Sequence, residues 1–215
     1  MIRALLALFS SVAFAHASVL AAEHQPPDIR VAVVDLGDIR SDALVDGSHP
    51  RLRGAAEMLH RLRPNAVLLL GIAYDRPGVD GYVEADGPGA NASRFVEHYL
   101  RTPQAAGLRA IDYETFVAPV NSGMPSGFDL DNDGSVTTEF PPIDPTQQSI
   151  DAPDSARRSD EAASYSGDAW GPGSFPGQRG MALLVDPRLE ILRDQARTFQ
   201  RLPWSFMPGA FLPEP

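Results

Sequence analysis

The hydrophobic positions fall first into a strand–helix–strand order. Ile29 to Val34 alternates and is rich in branched residues, which predicts a strand. Asp35-Leu-Gly-Asp38 follows as its terminal loop. Ser48-His-Pro50 has the residues of a helix start, with Ser48 near the cap and Pro50 in the first turn. Leu52, Ala55, Ala56, Leu59 and Leu62 then recur at helical spacing, with arginines and Glu57 on the other side. Val67 to Leu70 is an unbroken apolar run between a Pro-Asn turn signal and Gly71, the pattern of a strand buried on both faces. Such a unit normally pairs its two strands in parallel, which would set Asp35 and Gly71 side by side at one sheet edge. The loops beyond those strand ends are where α/β proteins carry their chemistry.

Beyond this unit the pattern thins. Tyr74 to Ala90 is a loop rich in Gly, Asp and Pro. Asn91 to Leu100 predicts a short helix with Phe95 and Tyr99 four apart on one side. Asn91-Ala-Ser93 matches a glycosylation sequon, a weak signal by itself. Tyr113 to Val117 is a further strand candidate. Residues 120–178 show almost no periodicity, which fits a long functional insertion or a partly disordered loop, with Ile143 to Glu161 its most mobile part. Met181 to Val185 is a clear buried strand. Leu189 to Phe199 suits a helix or a strand equally, and Pro203 to Pro215 is punctuated by proline.

Composition narrows the setting. The 215 residues suffice for one sizeable core, and 43% hydrophobic content is ordinary for a globular chain. The net charge of −10 disfavours direct binding to nucleic-acid phosphates, which relies on lysine and arginine displacing counterions. A site bridged by a divalent cation stays open, because the cation reverses the local sign. Arg3, the apolar stretch Leu5 to Phe14 and the small-x-small triplet Ala15-His-Ala17 read as a signal peptide over residues 1–22, in preference to a buried N-terminal helix. That stretch is too short to span a bilayer, so the mature chain is expected to be secreted or periplasmic, with no membrane association. The chain has no cysteine, so thiolate metal sites and cysteine nucleophiles are excluded.

Two acidic features could carry chemistry. Asp35, at the end of the first strand, could ligate Mg²⁺ or Ca²⁺, both of which prefer oxygen donors; alternatively it caps a turn. Asp129-Leu-Asp-Asn-Asp-Gly134 has carboxylates at alternate positions and then glycine, the opening half of a calcium loop. Asp129, Asp131 and Asp133 are its candidate ligands. The twelfth position is Phe140, with Glu139 one place early, so the bidentate ligand of such loops is missing or displaced. The alternative is a solvated acidic turn. The histidines have no zinc-site spacing and read as surface residues. Phe175 to Gly180 contains glycines but precedes a strand, so it does not fit a phosphate loop opening a helix.

Five stretches carry a resemblance: Ile29 to Arg40, Arg63 to Asp75, Phe116 to Gly134, Gly167-Asp-Ala-Trp-Gly171 and Phe175 to Pro187. Together they resemble the endonuclease/exonuclease/phosphatase superfamily, the deoxyribonuclease I-like phosphoesterases, and within it an exported bacterial branch. The resemblance implies an α/β (α+β) fold, a partial two-sheet β-sandwich flanked by helices, with residues 23–215 forming the N-terminal part of the domain. It implies a divalent cation and a phosphate-ester or nucleic-acid substrate hydrolysed by metal-activated water. Asp35 then stands at the catalytic position, where the family typically has an Asn contacting phosphate. Gly71 stands where the family has a metal-binding Glu. The family's later Asp-x-Asn element, further Asp and catalytic His have no counterpart here. The expectation is therefore a weakly active or inactive chain with one sheet face uncovered, or one completed by a separate C-terminal half.

Overall fold

The computed structural model describes residues 28–141, 160–171, 173–198 and 202–210. The expected leader, and nearly all of the stretch expected to be mobile, lie outside the described residues. The chain is mixed α/β. A four-stranded sheet has the order β1-β2-β6-β3, formed by β1 (Val31–Ile39), β2 (Ala66–Ile72), β6 (Met181–Val185) and β3 (Glu114–Val117). β1 and β2 run parallel, as the strand–helix–strand order predicts, while β6 is antiparallel to both its neighbours. A second sheet is only a ribbon of two residues per strand, β4 (Met124–Pro125) with β5 (Ala169–Trp170).

α1 (Pro50–Leu62) starts with His49 as its cap and Pro50 in its first turn, and ends with Arg63 in a left-handed conformation before Pro64. Leu52, Ala56 and Leu59 are buried, whereas Leu62 is exposed. α2 (Asn91–Phe95) runs into a single π turn, Val96–Leu100. Phe95 and Tyr99 stack as their spacing predicts, with ring centroids 5.6 Å apart. Both helices bury their apolar sides on one sheet face, against Val34, Leu36, Val67, Leu69, Ala182 and Leu184. The paired row Val33, Leu68, Leu183 and Phe116 belongs to the other face. Val31, Val33 and Met181 are 67%, 63% and 52% exposed on it, whereas Val185, in the row Val31, Ala66, Val185 and Glu114 of the same face, is buried.

Two stretches differ from expectation. Asp35 to Asp38 is not a terminal loop: it continues β1 through a bulge. Gly37, with φ +83°, supplies the left-handed residue that the bulge needs. The second difference lies within 120–178, which contains the β4–β5 ribbon and α3 (Asp160–Asp168). α3 buries only Ala162, Tyr165 and Asp168, too few apolar positions to print a period.

Candidate functional site

At the C-terminal end of β1 the register differs from the expected one. Asp35 is opposite Leu70, not Gly71: the register runs unbroken from Val31–Ala66 to that pair, and the bulge lies beyond it. The Asp35 carboxylate is exposed, and its Oδ1 accepts the Gly37 N–H at 2.8 Å, the hydrogen bond of a turn-capping Asp. Gly71 has φ +71°, and a Cβ there would overlap the Gly37 carbonyl oxygen. The strand end is thus built around two glycine backbones in close approach. No side chain fits at 71 without moving the bulge, whatever its chemistry.

Asp38, three residues on, is tied more firmly. Its Oδ2 accepts from Gln178 Nε2, while its Oδ1 is buried without a hydrogen-bond partner. Gln178 is held in turn by Ser174, whose N–H and hydroxyl both donate to Gln178 Oε1 at 2.6 and 3.2 Å. The divalent cation implied for this strand end does not fit these donors. Asp35 offers a single exposed carboxylate, and position 71 offers no ligand atom beside it.

Below this edge lies a buried polar network. Asp75 is 1% exposed. Its Oδ1 accepts from the Ser41 hydroxyl. Arg94 Nη1 sits 3.0 Å from Asp75 Oδ2, an ion-pair contact too misaligned to be a hydrogen bond. Arg94 also reaches Asp86 through Nε and Nη2. Asn91 donates to Ser41 Oγ at 2.9 Å and to the Ala73 carbonyl at 2.8 Å. Burial raises the Asp75 carboxyl above its ordinary value, against the opposing pull of Ser41 and Arg94. The same network buries Asn91, so the sequon is closed to a glycan in the folded chain. His60 is likewise 2% exposed, with Nε2 2.8 Å from the Leu100 carbonyl, which corrects its reading as a surface residue.

The acidic loop does converge. One carboxylate oxygen from each of Asp129, Asp131 and Asp133 lies within 4.8 Å of the others. Asn132 at φ +59° and Gly134 at φ +92° turn the backbone so that alternate side chains face one point. The carboxylates are fixed by backbone N–H groups: Asp133 and Gly134 donate to Asp129 at 3.1 and 3.0 Å, and Ser135 donates to Asp133 at 2.8 Å. Asp129 accepts two N–H groups and Asp131 and Asp133 one each, which leaves every carboxylate lone pairs for a cation.

Asp168, at the end of α3, clamps the loop from outside. It is 1% exposed and accepts the N–H of Leu130 at 2.9 Å on Oδ1 and of Thr137 at 2.7 Å on Oδ2. Gly167 keeps the approach open, since a Cβ there would overlap Asp131 Oδ2. From α3 the Tyr165 hydroxyl donates 2.6 Å to the Gly123 carbonyl, and burial pushes this phenol up to about 12. Such an assembly can hold a hard divalent cation on oxygen.

Comparison with known proteins adds no family: no family model, curated protein or solved structure matches the chain. The candidate residues therefore stand on geometry. Asp129, Asp131 and Asp133 are brought together, and Asp35 is not among them. Sequence reasoning missed Asp168, Asp38, Gln178 and Asp75. All four lie in stretches that carry the resemblance, so a signal was present, but only the tertiary contacts give each its partner.

Proposed function

We propose that this chain is a phosphoesterase-like protein of the endonuclease/exonuclease/phosphatase kind in which hydrolysis is weak or lost, and in which an oxygen-coordinated divalent cation stabilises the 129–137 loop. The observation that carries the first half is Gly71. Its left-handed backbone and the adjacent Gly37 carbonyl leave no room for a metal-binding carboxylate at that position. The resemblance supplies the reaction class, and the strand-end donors explain why the reaction would fail. Purified protein with Mg²⁺, Mn²⁺ or Ca²⁺ and DNA or a simple phosphodiester tests this. The expected result is turnover at background; turnover that Asp35→Ala abolishes would overturn the reading.

A second reading, a non-catalytic binding module stabilised by calcium, is favoured by the convergence of Asp129, Asp131 and Asp133 alone. Calorimetric titration with Ca²⁺ tests the loop in both readings. Heat in the native chain that disappears in Asp131→Ala is expected, and no heat in either protein removes the cation from the account.

A further inference from the structure

Away from the strand end and the acidic loop, a groove of about 340 Å³ opens beside β3, the edge strand of the sheet. That volume is within the range of small-molecule sites. Residues of α2, its π turn, β3 and the segment carrying Arg193 line it. The Ser93 and Thr115 hydroxyls meet at 3.1 Å and join α2 to β3. Val96 and Tyr113 line the groove and are themselves buried. Single π turns recur at functional sites, and this one sets Val96 and Glu97 in the groove wall.

The four charged side chains of the groove are not equivalent. Arg101 is neutralised by Asp112, with Nε 3.1 Å and Nη2 3.0 Å from Oδ1. Arg193 is fixed without a carboxylate. Its Nη2 donates to the Thr115 carbonyl at 2.7 Å, and its guanidinium lies 5.7 Å from the centroid of the Phe116 ring. Glu97 and Glu114 are exposed, and their carboxylates have no hydrogen bond or ion pair among the described residues. The groove thus offers two uncommitted carboxylates and one guanidinium with donors to spare.

We propose that this groove binds a free basic α-amino acid, of which arginine is the test case. Arg193 takes the α-carboxylate, because a guanidinium matches that planar anion. Glu97 and Glu114 take the α-ammonium and the side-chain cation. The apolar stem of the ligand lies along Val96 and Tyr113. Charge selects the class by what other ligands leave unmatched. A neutral amino acid leaves one carboxylate without a partner. An amine with no carboxylate leaves Arg193 without one. A phosphate meets two like charges. The groove shares no residue with the strand end or the 129–137 loop, so the proposal is independent of the phosphoesterase reading.

Calorimetric titration of the native chain with four ligands tests it. L-arginine should bind with a Kd of about 1 mM or tighter. Agmatine lacks the carboxylate, citrulline the side-chain cation and Nα-acetylarginine the α-ammonium. Each should bind at least ~10-fold more weakly, because each leaves one charged group of the groove unpaired. Agmatine is the decisive control. A net charge of −10 attracts any cation, and agmatine is more cationic than arginine. Agmatine binding as tightly as L-arginine, or no saturable heat with L-arginine, would overturn the proposal. In Arg193→Gln the preference for L-arginine over agmatine should vanish, and in Glu114→Gln arginine binding should weaken at least ~10-fold. A preference that survives Arg193→Gln would also overturn it. The ligand series on the native chain decides the matter even where a variant folds poorly.

Discussion

At Gly71 one residue decides two matters, conformation and chemistry. Its φ of +71° lies in the region that penalises any Cβ, and the Gly37 carbonyl stands where that Cβ would go. Gly71→Glu should therefore create no cation site. It should cost more than about 2 kcal/mol in urea unfolding, because backbone strain and overlap at the bulge add. A Glu variant of native stability that gained metal-dependent hydrolysis would refute both arguments. Asp75 is the opposite case, a residue whose value is all in its partners. Removing it by Asp75→Ala leaves Arg94 buried with Asp86 as its remaining carboxylate, and should cost about 3–5 kcal/mol. Asp86 is 44% exposed, so Asp86→Ala should cost under about 1 kcal/mol in the same urea unfolding.

At the scale of elements, legibility followed periodicity. β6 runs over Met181–Val185 as its apolar run predicts, and α1 and the Phe95–Tyr99 pair follow their spacing. β1 was read too short because Asp35-Leu-Gly-Asp38 has the composition of a turn, and a bulge inside a strand uses the same residues. α3 left no trace because its Asp160-Glu-Ala-Ala-Ser-Tyr-Ser-Gly-Asp168 sequence is mostly small and polar. The three loop carboxylates were readable because their spacing is local. Asp168 was not, since its partners Leu130 and Thr137 are 38 and 31 residues away. That distance makes α3 part of the loop's support. Asp168→Ala should weaken Ca²⁺ binding at least ~10-fold in calorimetry, because each lost charge-assisted hydrogen bond is worth about 1.5–3 kcal/mol before relaxation. Unchanged affinity would mean that the loop holds its shape without α3.

At the scale of the whole molecule, pH acts through groups whose environments pull in different directions. Burial lowers His49 below its ordinary value, aided by the neighbouring Arg51 charge, and its Nδ1 is buried without a partner. The unfolded chain therefore protonates first, and stability should fall as pH drops below about 6.5 towards the folded value. The hydrogen bond from the Arg188 side chain, then that from its backbone N–H, brings Asp186 down to about 2. A depressed acid stabilises the fold above its unfolded value, and that part is lost as pH falls from about 4 through 2. Asp75 opposes both. Its raised carboxyl binds a proton more readily in the folded state, so its contribution falls as pH rises from about 4 towards the folded value. Thermal melts across this range should show two separate declines on acidification. His49→Gln should flatten the one below pH 6.5. Asp186→Asn should flatten the one below pH 4, by no more than about 1 kcal/mol, because the pair with Arg188 is solvent-screened and Arg188 is 81% exposed. If both variants kept the native profile, neither His49 nor Asp186 would be the source of the acid decline; Asp75→Asn should steepen that decline, because the raised Asp75 carboxyl is the group of the three that gains stability as pH falls.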